Sequence, residues 1–402
     1  MFIRNLILVD PQHKDQFKPL SWTRPLAAFR FGILSIMEKW ALRFHAETSH
    51  CVSFPLSDLY PAQIQNDNFV VQGHLIPNND LCYLISNLQE GEFLVCDDLW
   101  VAGRLNKQQC LDFLQHFSLN GFNKQFVDKH LVNGIYRPWE LFQRKAIELE
   151  QDYQLITAGR FTTPIHESNA IIGNQLFVEE GARMMACTLN SQTGPIYIGR
   201  NVEIMEGSML RGPLAICEGS IVKMGAKIYG ATSIGPESRI GGEINNCIFQ
   251  AYSNKAHDGF LGNSIIGEWV NIGADTNASN LKNNYEDVKL WNYNTKRFDK
   301  TASLFCGLIM GDHAKCGINT MFNTGTVVGF GANVFGAGFP RQFVPDFAWG
   351  GASGFSTFTL DKFFATAQKV MERRHVPLTD SNKKLFEYIF SESREFRNWD
   401  SI

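Results

Sequence analysis

The chain has 402 residues, 44% of them hydrophobic, with 37 basic and 40 acidic residues and a net charge of −3. This length supports two or three cores, and the balanced charge argues against nucleic acid or a membrane surface as partner. No apolar run approaches the roughly 20 residues that span a bilayer. The nine cysteines are scattered and never spaced Cys-x-x-Cys, which argues against zinc sites and disulfides and for a cytoplasmic protein.

The opening stretch "MFIRNLILVDP" is too short for a secretory leader and reads as a first β-strand. Over residues 1–160, runs such as "NFVVQG" and "EFLVCDD" alternate with helix-like segments such as "ILSIMEKWALRF". That alternation predicts an α/β domain.

A period of six then takes over. From Ile198, every sixth residue to Ile240 is aliphatic: Ile204, Leu210, Ile216, Val222, Ile228, Ile234. Four positions on from such a slot stand small or β-branched residues, among them Val202, Ser208, Ala226 and Thr232. This is the hexapeptide signature of a parallel β-helix, in which one aliphatic residue per short strand points inward and stacks on its equivalent in the next coil. Continuing the period at Ile248, Asn254, Phe260, Ile266 and Ile272, and again from Met310 to Val334, predicts about seven triangular coils within residues 165–345. Residues 275–303 form a polar excursion in which Trp291 and Tyr293 serve either a subunit contact or a ligand. Beyond 346, "TLDKFFATAQKVMERR" and "NKKLFEYIFSESREF" carry helical spacing and predict a C-terminal helical segment packed on the solenoid.

Within the repeat, "SNKAHDGFLG" (253–262) places polar residues where apolar stacking is expected. His257 is either a turn residue or a general base, since its ordinary pKa near 6.5 suits proton removal from an amine. Lys255 and Asp258 are either solvated charges or parts of a site. Adjacent strand residues face opposite ways, so Asp258 is not expected to orient the imidazole.

The segments "TRPLAAFRFGILSIMEKW", "YSNKAHDGFLG", "LWNY", "CGLIMGDH" and "GINTMFNTGTVVG" resemble a divergent bacterial branch of the bifunctional family that makes UDP-N-acetylglucosamine. The resemblance implies a sugar-nucleotidyltransferase-like α/β domain, then a left-handed β-helical N-acetyltransferase working as a homotrimer on a sugar phosphate such as glucosamine-1-phosphate. It implies acetyl-coenzyme A as co-substrate, and Mg²⁺ if the first domain is active. The family's block of Lys-Ala-His and Val-Asn-Ile-Gly-Ala falls on Lys255-Ala256-His257 and Val270-Asn271-Ile272-Gly273-Ala274. His257 then takes the base role, with Lys255, Phe260, Asn271, Asn284 and Tyr285 at the acceptor. Phe260 stands where the family has tyrosine. Ala337 and Arg341 fall at the coenzyme groove, and Ile318 replaces a serine there.

The family's glycine-rich triphosphate turn is missing, for the first glycine is Gly32. Arg24 and Lys39 remain as candidate nucleotide contacts. Asp97 and Asp98 remain as candidate metal ligands, because His74 occupies the usual aspartate position. The alternatives left open are an active UDP-sugar pyrophosphorylase with the β-helix used for assembly, and a non-catalytic scaffold binding a sugar nucleotide.

Overall fold

A six-residue repeat leaves each short strand one inward side chain, so its core can only be built by stacking coil on coil. The computed structural model describes residues 3–401 and realises that arrangement. The chain divides into two compact units.

The first unit comprises the chain up to Asp15, Thr23–Phe29 and Leu34–Pro138. Its elements are β1 (Asn5–Val9), α1 (Ile36–Phe44), β2 (Glu47–Cys51), β3 (Asp67–Gln72), α2 (Asn79–Ser86), β4 (Glu92–Cys96), β5 (Leu99–Asn106), α3 (Lys107–His116) and β6 (Asn123–Phe126). The sheet order is β2-β1-β3-β5-β4-β6. β1 pairs in parallel with β2 and β3, and β5 runs antiparallel to both of its neighbours. β1 is buried along its whole length, as a central strand covered on both faces must be. Capping boxes at Ser35/Glu38 and Asn106/Gln109 start α1 and α3, each satisfying amides the helix leaves open.

The second unit holds Gln16–Trp22, Arg30–Ile33 and everything from Trp139. Helix α4 (Lys145–Thr157) is bonded into this unit: Lys145 Nζ donates to the Cys247 carbonyl at 2.8 Å, and Asp152 accepts from the Ile33 amide at 2.9 Å. Three parallel sheets follow. The first face has eight strands, the second nine, and the third nine plus an antiparallel strand, Gly354–Thr357. The chain therefore makes nine coils where the period had suggested seven.

The inward columns are continuous. On the second face Ile198, Ile216, Ile234, Phe249, Ile266, Met310 and Val328 succeed one another in register. All are 0% exposed, and each such aliphatic contributes roughly 1.5–3 kcal/mol by leaving water. The small residues between slots, Ser208, Ser220 and Thr232, are also fully buried. Their hydroxyls donate to Met205, Gly235 and Tyr229 carbonyls, so none is an unsatisfied polar group.

The phase expected after Ile240 is corrected. Ile234 pairs with Phe249, Ile240 with Lys255 and Ile244 with Leu261. The inward positions are thus Phe249, Lys255 and Leu261, not Ile248, Asn254 and Phe260. The repeat also runs on through Asn277–Ala278 before the excursion, which carries a hairpin of Lys289–Asn292 against Arg297–Lys300. Trp291 stacks on Phe343 (4.3 Å, 12°) and Tyr293 meets Phe396 edge-on at 5.1 Å. Both rings pack on their own chain. The C-terminal helices α5 (Leu360–Glu372) and α6 (Asp380–Glu392) lay Phe363 and Phe386 against His313 and Phe330. Among the described residues no helix is long and apolar enough to cross a membrane.

Candidate functional site

The third-face strand Asn254–Lys255 enters a corner at His257, Asp258 and Gly259 and leaves along Phe260–Gly262. Lys255 is the polar residue in an otherwise apolar column between Ile240 and Ile272. It is 1% exposed, and its Nζ donates to the carbonyls of Gly241 (3.1 Å) and His257 (2.7 Å). Burial brings its ammonium down to about 8 against the pull of Asp258. The expectation of Lys255 as a substrate contact is corrected: its charge is spent inside the coil, on the backbone that carries His257.

His257 and Asp258 are exposed. Gly259, at φ 111°, is required there, since a Cβ would press on the backbone of Thr276. Phe260 is half-buried, and its amide donates to Asn277 Oδ1 at 2.8 Å. Asn271 is exposed and accepts from Asn254 Nδ2 at 2.7 Å, forming an amide ladder across two coils. Asn284 and Tyr285 sit on the excursion, both exposed. Among the described residues no hydrogen bond or ring contact ties them to His257, so the structure does not gather the whole expected acceptor set.

Ala337 and Arg341 are exposed on the connection to the ninth coil, and Ile318 is 71% exposed. Arg341 lines a cavity of about 630 Å³ with Trp291, Phe298, Phe343, Phe396 and Trp399. Lys296 in the same cavity is paired with Glu395 at 2.5 Å, whereas no described residue ion-pairs with Arg341. Of these aromatic walls sequence reasoning singled out only Trp291, because the rest come from separate segments of the excursion, the last coil and the C-terminus.

The first unit has its own cleft, of about 420 Å³, at the carboxyl ends of β1 and β3. That is where open α/β sheets bind ligands. Its walls include Asp10, His13, His74, Asp98, Trp100 and Tyr136, and no lysine, arginine or glycine is among the described residues that line it. His74 is 4% exposed, packed edge-on against His13 (4.7 Å) and Tyr136 (5.0 Å). Burial, reinforced by His13, holds its imidazole down to about 3, so it is neutral. Asp10 accepts from the Leu26 amide at 2.9 Å and pairs with Lys14 at 3.3 Å.

The expected nucleotide contacts are corrected: Arg24 and Lys39 are buried (3% and 2% exposed) and do not line the cleft. The expected metal pair is split. Asp98 lines the cleft, whereas Asp97 faces Lys129 at 3.7 Å. No group of three histidine, cysteine or carboxylate side chains able to hold a metal occurs among the described residues.

These features define a two-part molecule: an α/β unit of nucleotidyltransferase type followed by a hexapeptide β-solenoid. Residues 6–161 match the family of sugar nucleotidyl transferases. The chain is 28% identical over 197 residues to the bifunctional protein GlmU of Methanocaldococcus jannaschii, covering 49% of this chain and 42% of that one. It is 29% identical over 144 residues to a bifunctional sugar-1-phosphate nucleotidylyltransferase/acetyltransferase of Sulfurisphaera tokodaii, covering 35% of each. The matched region spans less than half the length of these relatives. Among solved structures, it is similar to the Arabidopsis UDP-N-acetylglucosamine acyltransferase (14% identity, TM-score 0.28, 50% of this chain and 77% of that one). It is also similar to the N-acyltransferase AntD of Bacillus cereus (15% identity, TM-score 0.23, 50% and 91%).

Proposed function

We propose that the solenoid is an acyl-coenzyme-A-dependent N-acetyltransferase acting on an amino-sugar phosphate, in a homotrimer, with His257 as general base. The observation that carries this reading is the buried ammonium of Lys255 bonded to the His257 carbonyl. A charge is kept in an apolar column at the one coil where it fixes that corner. His257 takes a proton from the sugar ammonium, the amine attacks the thioester carbon, and the coenzyme leaves as thiol. Corner amides are available as donors to the oxyanion. Asn271 and Phe260 flank the acceptor, Asn284 and Tyr285 close over it from the excursion, and Ala337 and Arg341 receive the coenzyme. Trimer formation supplies the depth a single prism lacks.

The test is thiol release from acetyl-coenzyme A with glucosamine-1-phosphate. Turnover should fall by roughly 10²-fold or more in His257→Ala. Turnover untouched by the substitution overturns the base assignment. No turnover with any amino-sugar phosphate or amino-sugar nucleotide overturns the transferase reading.

For the first unit we infer a binding role without phosphoryl transfer. Its cleft offers aromatic walls and two carboxylates, one of them paired with Lys14, and no arginine or lysine among its described lining residues, which suits a sugar or nucleoside better than a triphosphate. Mg²⁺-dependent pyrophosphate release from UTP and a sugar-1-phosphate would overturn this reading.

A further inference from the structure

The corner between the second and third faces carries a second unusual pattern. The equivalent residue in successive coils is left-handed throughout. In four of the other coils it is glycine or asparagine, at Gly181 (φ 77°), Asn201 (54°), Gly219 (65°) and Gly331 (64°), and in two it is Glu237 (57°) and Phe347 (56°). In three consecutive coils it is instead Tyr252 (53°), Trp269 (60°) and His313 (57°). A left-handed backbone costs a side chain with a Cβ roughly 1–2 kcal/mol, and bulky residues rarely adopt it. The three rings form a ladder: Tyr252 on Trp269 at 4.2 Å and 7°, then Trp269 on His313 at 6.1 Å and 19°. His313 ends the ladder against α5 and α6. Tyr252, only partly buried, is its open end.

Tyr252 and Trp269 line a cleft of about 460 Å³ on the outside of the third face. Lys223, Arg239 and Lys315 reach it from the solenoid and Arg373 and Arg374 from the end of α5, beside the Asn254–Asn271 amides. No carboxylate lines it. Glu237 pairs with Arg239 at 3.5 Å from outside the lining, while no described residue ion-pairs with Lys223, Lys315, Arg373 or Arg374. Arginines at a helix C-terminus complement its dipole, but that does not account for the three solenoid cations facing them. Burial, then Arg239, lowers the Arg374 guanidinium from its ordinary value against the pull of Glu237, and burial alone brings Lys315 down to about 8.

We propose that this cleft binds a diphosphate-bearing nucleotide, with the phosphates among Lys223, Arg373 and Arg374 and the base on Tyr252. Arg239 and Lys315 are held by the Gly219 and His313 carbonyls at 2.9 and 2.8 Å; the three remaining cations call for a polyanion, and guanidinium forks match phosphate oxygens. An open aromatic face beside them suits a base. The diphosphate belongs to a sugar nucleotide, since the phosphate arm of coenzyme A is assigned to Arg341 in a separate cavity. The inference does not depend on His257 acting as a base.

The test is calorimetric titration of the full chain with UDP, ADP and inorganic pyrophosphate at low salt. The two nucleotides should bind, and Arg373→Ala/Arg374→Ala should weaken both by at least about tenfold. Arg183→Ala, on the first coil, should not. Tyr252→Asn, which keeps the left-handed corner as Asn201 does, should weaken the nucleotides and leave pyrophosphate unchanged. UDP should bind more tightly than ADP, and tighter ADP overturns the sugar-nucleotide assignment. No saturable nucleotide binding, or affinities unmoved by the double variant, overturns the proposal.

Discussion

The ammonium of Lys255 donates to the backbone carbonyl of His257 at 2.7 Å from inside the solenoid. Ile240 lies above it in the column. Replacing a buried charge by an apolar residue of similar length is often neutral or stabilising, so keeping it implies a gain elsewhere, in the geometry of the corner.

The buried lysine makes stability pH-dependent with a definite sign. Its pKa is about 8 folded, below the ordinary 10.5. Between those values the unfolded chain binds more protons, so stability rises with pH across that window. Lys145, pushed to about 7 by burial, acts in the same sense. Between pH 7 and 8.5 the wild type should gain about 1 kcal/mol relative to Lys255→Met, since thiol ionisation is common to both and cancels. Denaturant midpoints of the solenoid transition measure it. Turnover of Lys255→Met should fall roughly tenfold through loss of positioning, with the acyl-coenzyme A KM unchanged.

Gly259 sets the same corner from the other side. Gly259→Ala places a methyl against the Thr276 backbone at φ 111° and should cost at least about 2 kcal/mol. Gly225, at φ 67° with open space around its Cα, is the control, and its alanine variant should cost only about 1 kcal/mol. Equal midpoints for the two variants would show that the corner relaxes freely.

The repeat was legible because stacking leaves no choice: all eight slots from Ile198 to Ile240 are 2% exposed or less. The phase was lost after Ile240 because the next inward residue, Ile244, comes four positions on and Phe249 five. The sequence offers apolar pairs at both candidate registers, Ile248-Phe249 and Phe260-Leu261, so periodicity alone could not choose. The wrong choice put Asn254 inside and Lys255 outside. The third-face cleft and the first unit's cleft were illegible for another reason. Their walls come from positions as far apart as Lys223 and Arg374, or Asp10 and Tyr136, which only the fold brings together.

In the first unit, burial holds His74 at about 3 and His50 at about 4. Between those values and 6.5 the unfolded chain takes up protons that the folded imidazoles refuse, so stability falls as the pH drops through that window. From pH 6.5 to 5 each histidine should remove up to about 2 kcal/mol. His74→Gln should flatten the decline by its share.

Arg341 faces an aromatic cavity without an ion pair from any described residue, while its neighbour Lys296 is already bound to Glu395. A guanidinium so placed is available to a phosphate, and the 3′-phosphate of coenzyme A is the group on the proposed donor that it would read. Arg341→Ala should raise the KM for acetyl-coenzyme A about tenfold and leave kcat and the thermal midpoint unchanged, since the side chain is exposed. Using the dephospho form of the donor should raise the wild-type KM by the same factor and leave the variant's unchanged. If the variant and the wild type respond equally to loss of that phosphate, Arg341 does not read it.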